Sequence, residues 1–149
     1  MTDDGIGVRV VQLIGERYRL PEQVSVLDGG TLGLDLLPRI EGVRRLIIVD
    51  AVETGAPPGT LVRLSGAEIP QALETKLSPH QMGLKDLLTV ASLLGHVPEE
   101  TVLWGVQPES IEMALRLSAP VEAQLEPLVR KVLQELAIWG CPLFKRDNE

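Results

Sequence analysis

The chain has 149 residues, 44% hydrophobic and 23% charged, a balance that fits one globular domain with a sizeable core rather than a disordered segment. Its net charge of -7 repels phosphate backbones, and no basic stripe interleaved with aromatics occurs, so nucleic acid is not an expected partner. With 3% aromatic residues the core must be built from Leu, Val, Ile and Ala, and a single cysteine excludes an internal disulfide or an all-cysteine metal site.

The longest apolar stretches, such as Leu46 to Val49, fall far below the roughly 20 residues needed to span a bilayer. The start Met1-Thr2-Asp3-Asp4 is acidic and lacks the basic region of a secretory signal. No membrane partner is expected, and the cytoplasm is the expected compartment.

In chain order, Gly7 to Tyr18 carries Val8, Val11, Leu13 and Ile14 at helical spacing, with Asp3 and Asp4 just ahead where acids favour a helix start. Pro21 ends that helix, and Val24 to Leu27 reads as a short strand halted by Asp28-Gly29-Gly30. Thr31 to Ile40 reads as a helix. Arg45 to Asp50 is the clearest strand; its four consecutive apolar residues imply burial on both faces, as in a parallel sheet. Gly55-Ala56-Pro57-Pro58-Gly59 turns the chain into a strand over Thr60 to Leu64. Ser78-Pro79-His80-Gln81 has the pattern of a capping box opening a helix that runs to Leu94 and stops at Gly95. Thr101 to Val106 is the next strand, and a last helix spans Ala119 to Trp139 with Val121, Leu125, Leu128, Val132 and Leu136 on one stripe.

Alternating strands and helices predict a single α/β domain over residues 1–149, a three-layer sandwich with a twisted, mostly parallel sheet between helices. Such sheets bind ligands beyond the carboxyl ends of their strands. That rule singles out Asp28-Gly29-Gly30-Thr31, Asp50 and Gln107-Pro108-Glu109, each following a strand.

Asp50 ends an apolar strand at the sheet edge; its plain alternative is to cap the next loop through the backbone. His80 stands in a first helical turn, where the dipole favours the neutral, metal-ligating ring, and its plain alternative is a surface histidine. His96 follows Gly95 in a polar turn and reads as solvated. Two carboxylates and one imidazole would suit a borderline divalent ion with open positions, provided the fold brings distant loops together. No Gly-x-Ser-x-Gly elbow or Walker loop is present, and Gly29-Gly30-Thr31-Leu32-Gly33 misses the dinucleotide pattern. Cys141, after a helix end, reads as a packing residue.

Five segments taken together are more specific. Thr2-Asp3-Asp4-Gly5-Ile6-Gly7, Leu27-Asp28-Gly29-Gly30-Thr31, Leu46-Ile47-Ile48-Val49-Asp50-Ala51, Ser78-Pro79-His80-Gln81-Met82-Gly83 and Gly105-Val106-Gln107-Pro108-Glu109 resemble, in order, the motifs of the hydrogenase maturation endopeptidases. The resemblance implies removal of a C-terminal extension from a nickel-iron hydrogenase large-subunit precursor once nickel is inserted, with nickel carried by that precursor. It implies Asp4, Asp50 and His80 as metal ligands. Gly29, Gly30, Thr31 and Gln107 are expected on the substrate side, and a monomer is expected. Neither Asp50 nor His80 is expected in the core.

One departure stands out. The family begins with an apolar strand ending in Gly-x-Gly-Asn, whereas Met1 here falls just before Thr2-Asp3-Asp4. The first central strand is therefore expected to be missing from the sheet, and Met1 to be an internal methionine of a longer protein. Two other readings stay open: a metal- or nucleotide-sensing module of the same fold that cleaves nothing, and a related peptidase with another precursor.

Overall fold

The computed structural model describes residues 5–26, 37–73, 79–109 and 117–146, with 71–73 and 79–85 described by backbone alone. Helix α1 (Ile6–Arg17) is followed by β1 (Tyr18–Arg19), α2 (Leu37–Ile40), β2 (Arg45–Ala51), β3 (Leu61–Ser65), α3 (Glu68–Leu73), α4 (Pro79–Leu93), β4 (Glu100–Val106), α5 (Ala119–Glu122), α6 (Leu125–Ile138) and β5 (Phe144–Lys145).

The main sheet is mixed, with order β2-β4-β3. β2 and β4 run parallel with Asp50 opposite Gly105, and β3 lies antiparallel on the other side of β4. The apolar run in β2 is half-buried and packs toward both faces by simple alternation. Ile47, Val49 and Ala51 join the core of Ile6, Val10 and Ile14 from α1, Val121 from α5, and Leu128, Val129 and Val132 from α6. Leu46 and Ile48 face the opposite way, toward clusters containing Ile40, Leu87 and Ala91, and Val52, Ile69 and Leu103. Helices α1, α5 and α6 thus cover one face and α2, α3 and α4 the other, which is the three-layer arrangement the sequence implies. Among the described residues no helix is long and apolar enough to cross a membrane.

Several elements differ from their sequence reading. The helix expected over Ala119 to Trp139 is two helices, because a proline ring at position 127 clashes with the carbonyl of residue 123 in a continuous helix. Broken at Ala123-Gln124, Pro127 becomes a first-turn residue that loses no hydrogen bond, and the ladder resumes with Leu128 N–H donating to Gln124 O at 2.9 Å. Val24 to Val26 is not a strand: the Val24 amide closes a turn on Pro21 O at 3.0 Å, and no described segment offers this stretch a ladder. Of the helix expected over Thr31 to Ile40, α2 is the described part, and residues 31–36 lie outside the described residues. The first helix ends at Arg17 because Tyr18 and Arg19 pair with Lys145 and Phe144. Ser78, the expected cap of α4, lies outside the described residues.

A buried polar clasp joins α6 to the sheet. Glu135 is 6% exposed, accepts from Arg63 Nε at 2.5 Å and from Trp104 Nε1 at 3.3 Å, and so ties neighbouring β3 and β4 residues to one carboxylate. The hydrogen bond from Arg63 holds the Glu135 carboxyl below its ordinary range, assisted by the Arg63 charge and the Trp104 bond. A lowered folded-state pKa stabilises at pH above the unfolded value, about 4.3, and that contribution is lost as pH falls through the folded value. Because Arg63 is half-exposed, solvent screens the pair. Glu135→Gln is therefore expected to cost about 1–2 kcal/mol at pH 7 in urea unfolding, and the gap to wild type should close as the solution is acidified.

Candidate active site

The carboxyl ends of β2 and β4 organise the region that the sequence singles out. Asp50, the penultimate residue of β2, is 1% exposed. Its Oδ1 accepts the Ala51 N–H at 2.8 Å, so the backbone-capping geometry is realised. Contrary to expectation Asp50 is among the most deeply buried side chains, because the ladder continues past it: Val52 N–H donates to Val106 O at 2.9 Å and carries the chain over the strand end. Gly105 makes room for this crossing, since a Cβ there would lie 2.8 Å from Val52 Cγ2 and 3.0 Å from Val62 Cγ1.

Two helix starts converge on the same edge. Gly7 in the first turn of α1 touches the backbone at Val49, the residue before Asp50, so closely that a Cβ would overlap the Val49 carbonyl oxygen. On the opposite face, α4 ends at Leu93 beside the beginning of β2. There His96 Nε2 lies 3.9 Å from Glu41 Oε1, and Arg44 Nη2 lies 3.6 Å from Glu99 Oε2. The helix then runs back against the strand direction, its Leu87 and Ala91 packing in the cluster with Leu46, and its Leu88 against the cluster that Ile48 also meets. From Leu88 to His80 is eight residues, about 12 Å of helix, against about 7 Å of strand from Ile48 to Asp50. The first turn of α4, with His80 as its second residue, therefore reaches the carboxyl edge on the face toward which β-alternation turns position 50.

Gln107 follows β4 directly and is 4% exposed. Its Oε1 accepts from Thr54 N–H at 2.7 Å and Thr54 Oγ1 at 3.0 Å, and its Nε2 donates to Glu53 Oε1 at 2.9 Å. Glu53 and Thr54 carry no sequence signature of their own; their proximity to Asp50 in the chain was the available signal. Asp4, Asp28, Gly29, Gly30 and Thr31 lie outside the described residues, and of His80 only the backbone is described. Among the described residues no three His, Cys, Asp or Glu side chains cluster tightly enough to hold a metal ion. A groove of about 580 Å³ between Arg19-Leu20-Pro21 and Gly140-Cys141-Pro142 opens at the far ends of α1 and α6, away from Asp50, and contributes nothing to this edge.

Fold and edge together define an α/β protein of the class that places its chemistry beyond the carboxyl ends of parallel strands. Comparison with known proteins makes this specific. Residues 8–135 match the family model described as HycI, hydrogenase maturation protease. The chain is 40% identical over 148 residues to the hydrogenase 2 maturation protease of Escherichia coli, covering 99% of this chain and 90% of that protein. It is 43% identical over 149 residues to the hydrogenase expression/formation protein HoxM of Azotobacter vinelandii, covering 99% of this chain and 72% of that protein. The solved structure of the hydrogenase maturating endopeptidase HybD from Escherichia coli superposes with a TM-score of 0.92 at 41% identity, over 98% of this chain and 91% of that one. The chain belongs to the hydrogenase maturation protease family and is a peptide-bond hydrolase.

Proposed function

We propose that this protease removes the C-terminal extension of a nickel-iron hydrogenase large-subunit precursor after nickel insertion, gripping the precursor's nickel with Asp4, Asp50 and His80. What supports the reading is that the start of α1 packs against Val49 beside Asp50, while α4 runs along the other face of β2 in the direction that brings its first turn toward the same edge. Asp4 lies three residues before Gly7, a span of at most about 10 Å of chain, which keeps it within reach of that edge.

Two carboxylates and an imidazole fit a borderline divalent ion, and a buried carboxylate such as Asp50 attracts a cation more strongly than one in bulk water. Three protein ligands leave positions for the precursor's own donors, so the grip would be firm only on a loaded precursor. Specificity would then come from a shared ion, and an empty precursor would be spared. Gly29, Gly30 and Thr31 are proposed to meet the precursor on this edge, with the protein acting as a monomer in the cytoplasm.

A cleavage assay separates the readings. Nickel-loaded precursor should be shortened at its C-terminus and nickel-free precursor should not, as read by mass spectrometry. Equal cleavage of both forms would remove nickel from the account, and cleavage of neither would favour the sensing module.

A further inference from the structure

We propose that Gln107 is a positioning residue whose buried carboxamide clips the exposed loop Glu53 to Gly55 to the end of β4, and so sets the surface that meets the precursor. The inference rests on reading this edge as the place where the precursor binds.

Gln107 uses every polar group it has. Besides the bonds to Glu53 and Thr54, Nε2 donates to Pro108 O at 3.2 Å. Its main-chain N–H donates to Thr60 O at 2.9 Å, and its carbonyl accepts from Gly59 N–H at 2.8 Å. The loop returns part of this order, with Glu53 Oε1 accepting from Gly55 N–H at 3.1 Å and Thr54 Oγ1 from Ala56 N–H at 3.4 Å. The chemistry dictates the side chain. A backbone N–H only donates, so Thr54 demands an acceptor, while an ionised Glu53 only accepts and demands a donor. A carboxamide supplies both from one planar group. Glu53, Thr54 and Gly55 are exposed while the group that holds them is buried, so this loop presents side chains outward from a fixed anchor three residues beyond Asp50. Exposed loops held by a rigid scaffold are the usual carriers of partner contacts.

A reciprocal exchange tests the clip. Gln107→Glu keeps the acceptor for Thr54 but sets two carboxylates against each other. Glu53→Gln alone still offers an acceptor, and the double variant restores a donor–acceptor pair with the roles reversed. Expected for Gln107→Glu are roughly 10-fold faster hydrogen exchange at the Gly55 amide and a KM for precursor raised roughly 10-fold with kcat nearly unchanged, the range for loss of a supporting hydrogen bond. Both should return toward wild type in the double variant. Gln107→Met, which buries no charge and leaves the Glu53–Gly55 bond in place, carries the same expectation if Gln107→Glu does not fold. Unchanged Gly55 exchange, or faster exchange with KM unmoved, overturns the proposal. Should wild type cleave no precursor, the functional reading fails, and the exchange data still decide the clip.

Discussion

Asp50→Asn is expected to lower precursor cleavage by about 100-fold or more while the protein stays folded. On the proposed reading Asp50 is a metal ligand; partners that merely orient such a ligand cost roughly 10–100-fold when removed, so losing the ligand itself should cost at least as much. Asparagine keeps the volume and an acceptor for the Ala51 N–H that Oδ1 now receives at 2.8 Å. It also keeps the size and shape of a side chain only 1% exposed, so the variant should remain folded. Asp50→Ala is the less informative variant. It abandons the Ala51 amide in a buried site, at a cost of about 1–3 kcal/mol, and so mixes folding with function. Steady-state cleavage together with thermal unfolding checks the claim; an asparagine variant that cleaves at the wild-type rate would remove Asp50 from the site.

Gly7→Ala is expected to give the largest loss of stability of any single methyl addition in α1. The new Cβ would overlap the Val49 carbonyl oxygen, a backbone atom in a strand paired to β4 through Val49 and Trp104, so the helix must move. Alanine favours a helix over glycine by up to about 1 kcal/mol, but overpacking typically costs about 1–3 kcal/mol, and more where backbone meets backbone. We expect a net loss of about 2 kcal/mol, with cleavage reduced beyond what unfolding explains because α1 packs against Val49, the residue beside Asp50. Gly15→Ala is the control on the same helix. Nothing lies within 4 Å of its Cβ, so it should gain about 0.5–1 kcal/mol. Urea titrations of both variants check the contrast, and equal stabilities would mean that α1 does not dock through Gly7.

The parts of the fold that were legible in the sequence are those written in local pattern. Leu46 to Val49 announces a strand with apolar contacts on both faces, and the structure divides it between opposite cores, though it leaves the four residues half-buried rather than buried. Asp50 could be placed at the strand end, but its depth depends on Val52 folding back onto Val106, a partner 54 residues away that no local pattern shows. Pro127 was in plain view, yet a continuous apolar stripe from Val121 to Leu136 outweighed it; the stripe survives the break because both short helices lie on the same face of the sheet. Short α3, the pairing of β1 with β5, and the clasp of Arg63, Trp104 and Glu135 have no periodic signature, since each depends on chain segments that meet only after folding. Gln107 was legible as an edge residue, whereas its partners Glu53 and Thr54 were not, because they sit on a different loop.

Anomalous diffraction at the nickel edge, from crystals of this chain soaked in a large excess of nickel so that even a weak, incomplete site fills, tests the shared-ion grip most directly. A single peak within about 2.2 Å of an Asp50 carboxylate oxygen and a His80 ring nitrogen, with Asp4 completing the protein's share, is the expected result. A peak elsewhere on the surface, or Asp50 and His80 too far apart to touch one ion, would contradict it.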